Sequence, residues 1–405
     1  MAGARGERLW WLSGLARGLR RRCGVAPRRD RAPPGRADRR CRAPGRGPGD
    51  ALTHPEELVR PFETPLTLHL RVAGVPIRIL TNAEDLWASL RHYYRAYVSS
   101  ADSLPVAVVK LVQGEARPPG EFTDVPREPP RTVKEAVQEL PGGRLVLKKA
   151  TGVVMGLWPG HAFAIGDLRR HLNQGVNLVN ACYAKAVLGR GHLLLHASGV
   201  SWNGRAAVLA GRPGAGKSTA ALHLVEAGFR FLSNDRVLAK PLAGDVEVLG
   251  YPKQPRVNPG TLLHHPRLNT LLKPEDREAL AALPPAELWA LERKADVDLD
   301  AIYGPGAVEL EGRMRVLALL KWRLDGPPLT IRRLDPTEAL ADVPLLYKDL
   351  GVFDLDRPAG AHTAGRRLSE YAELFRRVVV VEVSGRADFA ALVTLVGDLL
   401  SAEPR

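Results

Sequence analysis

LHASGVSWNGRAAVLAGRPGAGKSTAALHLVEAGFRFLSNDRV runs from Leu195 to Val237 and holds most of what the chain says about its architecture and chemistry. An apolar run over Leu193–Val200 reads as a strand, and Asn203-Gly204 as a turn. A second strand follows over Ala206–Ala210, then a glycine-rich loop and a helix over Lys217–Ala227. Gly228 stops that helix, and a third strand covers Phe229–Leu232. Strands and helices alternating at this spacing predict an α/β core.

The loop GRPGAGKS, Gly211–Ser218, fits G-x-x-x-x-G-K-[ST] between a strand and a helix, the context that motif requires. A phosphate chain needs several donors converging in a small space. Main-chain N–H groups of Gly211, Arg212, Pro213, Gly214, Ala215, Gly216, Lys217, Ser218 and Thr219 form the cradle, less the one that Pro213 lacks. Glycine permits both the dihedrals and the close approach. The helix turns its positive end to the anion, Lys217 adds a cation and the Ser218 hydroxyl a ligand for Mg²⁺. The expected cofactors are therefore ATP and Mg²⁺. The third strand carries Asn234-Asp235 to its carboxyl end, where ligand groups of open α/β sheets collect, so Asp235 is expected at the metal with Ser218.

These residues resemble the HPr kinase/phosphorylase family, and more closely its branch called HprK-related kinase B. The resemblance rests on HASGV (His196–Val200), on GRPGAGKSTAAL, on GFRFLSNDRV, which is similar to a family segment ending Asp-Asp-x-Val, and on the later GYPKQPRVNPGTLLHHPRL. It covers about residues 170 to 330. It implies a P-loop core like that of HPr kinase and phosphoenolpyruvate carboxykinase, and ATP-dependent phosphorylation of a serine hydroxyl. In the family the first Asp acts as base, the second helps bind metal, and a His before the loop supports the base. Matched residue by residue, His196 supports, Lys217 and Ser218 take phosphate and metal, and Asp235 takes the metal.

Asn234 departs from the pattern, because it stands where the family has its base and an amide accepts no proton near neutral pH. Three answers are open: Asp235 serves as base while another group binds metal, His196 acts directly, or transfer is lost and a nucleotide-binding regulatory module remains. His196 lies in an apolar strand and also reads as a core histidine. Arg256 reads either as a cation for the transferring phosphoryl group or as a surface arginine. Glu247 and Lys253 are weaker candidates, and the adjacent His264-His265 do not make a metal site.

Outward from this core, the net charge of +14 gathers at the amino end. Positions 1–50 carry 14 Arg against 4 acidic residues, which leaves +4 for the rest. The basic balance is thus a property of the head and predicts no nucleic-acid surface on the folded body. Residues 1–54, rich in Arg, Pro and Gly, are expected to be an unstructured extension, with RLWWLSGLARGLRRR as a short basic amphipathic segment. Residues 55–175 mix strand and helix patterns and predict an α+β amino-terminal domain, with LTLHLRVAGVPIRILTN as a hairpin; residues 176–405 form the kinase-like domain. Cys23, Cys41 and Cys182 give neither a disulfide framework nor a metal cluster, and no apolar run reaches membrane length. A cytoplasmic protein is expected, with a protein or small-molecule hydroxyl compound as acceptor. The family resemblance further implies self-association.

Overall fold

The computed structural model describes residues 52–402 except 116, 117, 119, 127–131, 324 and 360–367. The expected extension, its amphipathic segment, Cys23 and Cys41 lie outside the described residues. The fold is mixed α/β, built on two mixed sheets. The first has eight strands in the order β1-β2-β3-β8-β7-β6-β5-β4. Its ranges are β1 Leu66–Val72, β2 Val75–Thr81, β3 Ala107–Gln113, β4 Thr123–Asp124, β5 Glu135–Leu140, β6 Gly143–Lys148, β7 Val153–Trp158 and β8 His161–Gly166. The hairpin expected around Gly74 is β1–β2, turned by Ala73 and Gly74, both at positive φ. The two-residue strand β4 pairs with Ala136 and Val137 of β5. The helix Leu172–Leu188 buries Val176, Val179, Tyr183 and Ala184 in a core shared with β1–β3.

The second sheet has nine strands, whose main path runs β12-β10-β11-β17-β14-β13-β9, with β19 between β17 and β18. Here β9 is Leu193–Leu195, β10 Ala197–Trp202, β11 Arg205–Gly211, β12 Arg230–Ser233, β13 Val237–Leu242 and β14 Asp245–Gly250. A separate two-residue pair joins β15 Arg256–Val257 to β16 Ala295–Asp296. The sheet closes with β17 Glu311–Leu320, β18 Thr330–Arg333 and β19 Val379–Ser384.

The strand expected over Leu193–Val200 is broken at His196. Leu193–Leu195 pair with β13, whereas β10 pairs with β11 and β12. The break follows from a third partner: the His196 amide donates to the Leu346 carbonyl at 2.7 Å, so a carboxyl-terminal segment takes the bond that a continuous ladder would have used. Strand β11 is buried on both faces. Ala207 and Leu209 join the core beneath the helix Lys217–Glu226, and Ala206, Val208 and Ala210 join the opposite core. That accounts for its unbroken apolar sequence. β11 runs parallel to β17, and β17 to β19, while β12 lies antiparallel to β10. The carboxyl ends of β11 and β12 and the amino end of β10 therefore meet at one edge of the sheet. Among the described residues, no helix is long and apolar enough to cross a membrane.

Candidate functional site

That shared edge gathers the Gly211–Thr219 loop from β11, His196 from the break before β10, and Asn234-Asp235 from β12. Gly216 precedes the helix Lys217–Glu226 with φ of 77°, a left-handed conformation natural to glycine, and no side chain caps the helix. The first-turn amides of Lys217, Ser218 and Thr219 have no intrahelical acceptor, so they remain donors for an anion. Pressing the loop's start against β17 also requires glycine, since a Cβ on Gly211 would lie 2.6 Å from the Leu320 carbonyl oxygen.

Lys217 is only 8% exposed. Its Nζ donates to the carbonyls of Gly211 (2.8 Å) and Arg212 (3.2 Å), which leaves one of the three ammonium donors for a ligand. Burial pushes its pKa down to about 8; Asp235 opposes that shift, and Lys348 and Lys294 add to it. The Trp322 indole donates to the Ala215 carbonyl at 2.7 Å and fixes the loop from the side. Thr219 Oγ1 meets Thr261 Oγ1 at 2.9 Å.

Asn234 Oδ1 accepts from Ser218 Oγ at 2.5 Å and from Ser198 Oγ at 3.2 Å. The amide is thus a hub that holds the loop's serine. Asp235 sits at φ of 69°, an uncommon conformation for a residue with a side chain. Its carboxylate lies 3.3 Å from His196 Nε2 and 3.8 Å from Arg236 Nε. Burial raises the Asp235 pKa, but the His196 hydrogen bond and the charges of Lys348 and Arg236 outweigh it and hold the carboxyl below its usual range. The side chain keeps 54% of its surface open, so it faces a solvent-filled space.

Arg256 is paired with Asp296: Nε lies 3.0 Å from Oδ1, and Nη2 donates to the Lys294 carbonyl at 3.3 Å. Glu247 pairs with His192 at 3.1 Å on β14. His265 packs on His223 with ring centroids 4.9 Å apart, and its Nε2 lies 3.3 Å from the Leu222 carbonyl. Among the described residues, no group of three or more His, Cys, Asp or Glu side chains is disposed to hold a metal ion. A divalent cation that arrives with phosphate oxygens needs fewer protein ligands, and the Ser218 hydroxyl and Asp235 carboxylate are of the kind it takes. Sequence reading passed over Ser198, Lys294, Trp322 and Lys348. Ser198 stood inside the HASGV segment, while the other three lie far along the chain with no motif around them.

No protein-family model matches this chain, and no curated protein matches it. Among solved structures, it is similar to the Hpr(Ser) kinase/phosphatase from Coxiella burnetii, with a TM-score of 0.26 and 10% identity over 51% of this chain and 94% of that one.

Proposed function

We propose that this protein is an ATP-dependent kinase of the HPr kinase kind, which transfers the γ-phosphate to a hydroxyl of a serine-containing protein or of a small molecule. The observation that carries the reading is the meeting, at one sheet edge, of an uncapped helix start, a buried lysine with a spare donor, and a carboxylate paired with a histidine. In this reading the Gly211–Thr219 amides and Lys217 hold the β- and γ-phosphates. Ser218 and Asp235 would hold Mg²⁺, which neutralises charge on those phosphates. The acceptor hydroxyl lies at the His196–Asp235 pair. Its oxygen bonds to the γ-phosphorus, the bond to the β–γ bridging oxygen breaks, and ADP leaves with that electron pair. The hydroxyl proton passes to an Asp235 carboxylate oxygen. A carboxylate held so firmly ionised is a weak base, which suits a loose transition state dominated by positioning and charge. Asn234 then acts as the anchor of Ser218.

The test is ATP binding by purified protein, followed by transfer of labelled phosphate in a cell extract. Lys217→Ala should weaken ATP binding by about tenfold or more, the loss of a charge-assisted contact. Equal binding by both proteins overturns the reading. Binding without any labelled product would favour a regulatory nucleotide-binding module, for which Asn234 in the base position is the supporting observation.

A further inference from the structure

Two turns lie side by side next to Asp235. One is Asn234–Arg236, between β12 and β13; the other is Tyr251–Pro255, between β14 and β15. The Tyr251 amide donates to Ser233 Oγ at 3.0 Å, and the Arg236 guanidinium sits 5.4 Å from the Tyr251 ring centroid. These contacts bring Arg236, Lys253 and Arg256 into one neighbourhood. Lys253 Nζ donates to the neutral Asn177 Oδ1 at 2.8 Å. Arg236 Nε and Arg256 Nε are buried and make no hydrogen bond, although each has a carboxylate within 4 Å. Arg236, Lys253 and Arg256 thus face three carboxylates, Asp235, Asp296 and Asp349, and Asp235 is already engaged by His196.

The neighbourhood is partly open to solvent. Burial is the largest influence on Lys253, Arg236 and Asp235, yet Arg236 and Arg256 keep 28% and 39% of their side-chain surface open. Burial, with the charges of Arg236 and Arg256, pushes Lys253 down to about 8, a cost that a bound oxyanion would relieve.

We propose that Arg236, Lys253 and Arg256 form an oxyanion subsite beside Asp235, and that the acceptor is a small hydroxyl compound carrying a phosphate or carboxylate group. The acceptor half of this inference rests on the kinase reading above; the subsite itself does not. Guanidinium forks with open donors suit either oxyanion, and a hydroxyl on the same small molecule falls at the neighbouring Asp235.

The probe is inorganic phosphate, measured by equilibrium dialysis with the full chain. The Lys217→Ala background weakens the loop's own contact by removing its cation, so the dependence on Lys253 and Arg256 is what identifies the subsite. That variant should still bind phosphate. Adding Lys253→Met or Arg256→Gln should weaken binding by about tenfold or more, with Lys253→Arg restoring it. Circular dichroism melting checks each fold, and Lys253→Met alone is scored if the combined variant unfolds. Phosphate binding that is absent in Lys217→Ala, or indifferent to Lys253 and Arg256, overturns the subsite. Acetate as competitor separates the two sources: strong displacement assigns a carboxylate, weak displacement a phosphate, and either supports the subsite. Equal ATP binding by wild type and Lys217→Ala would overturn the kinase reading while leaving the phosphate result to stand by itself.

Discussion

At the scale of single residues, Asn234 is the informative one. Its carbonyl oxygen satisfies two hydroxyls, Ser198 and Ser218, the first of them on a fully buried residue. Asn234→Ala should cost about 1–3 kcal/mol in urea unfolding, the penalty for leaving such donors unpaired. Asn234→Asp keeps the acceptor and should cost less. Lys217 makes a prediction about pH. Its ammonium loses a proton near pH 8, so ATP affinity should fall as pH rises through that value, and the fall should vanish in Lys217→Ala. Stability should move the other way. Between about 8 and the ordinary lysine value the unfolded chain binds more protons, so stability rises with pH there. The loop's place between β11 and the helix Lys217–Glu226 was readable in advance, because a Gly-rich run followed by Lys-Ser after an apolar strand is a local pattern. The contact between Asn234 and Ser218 was not, since it depends on a side chain turning toward the loop. Nor was the engagement of Arg256 by Asp296, which depends on pairing between β15 and β16.

At the scale of elements, the sheet edge exists because β11 can press against β17. Gly211→Ala would force a methyl to within 2.6 Å of the Leu320 carbonyl. It should destabilise by about 1–3 kcal/mol, the usual cost of overpacking, and weaken ATP binding together with stability, checked by melting and by titration. The helix Lys217–Glu226 and strands β11 and β12 followed from sequence because their patterns are local: a periodic apolar face, a turn at Asn203-Gly204, a glycine stop. The break between β9 and β10 was illegible. Leu193–Val200 is apolar throughout, and what splits it is a carbonyl supplied by Leu346, far along the chain. Local periodicity carries no trace of such a partner.

At the scale of the molecule, the two sheets are tied through Arg144 on β6, which is 2% exposed. It donates to the carbonyls of Val352, Asp354 and Arg357 at 3.0, 3.0 and 2.6 Å, and its Nε lies 2.7 Å from Glu139. These carbonyls follow directly after the segment that bonds His196 and carries Lys348. Arg144→Met should therefore cost about 1–3 kcal/mol in denaturant unfolding, the penalty for carbonyls left without their donor. It should also weaken ATP binding, although Arg144 belongs to the other sheet. The parallel pairing that puts Arg205 opposite Arg313, with Val316 of the same strand in turn opposite Val379, has a consequence for synthesis. As the chain leaves the ribosome, the β10–β11 hairpin is made long before β17, the strand that flanks β11, and that apolar edge stays bare until β17 has emerged. Nascent chains halted before β17 should accordingly be captured by chaperones and digested readily by protease, and both liabilities should end only once β19 has cleared the exit tunnel.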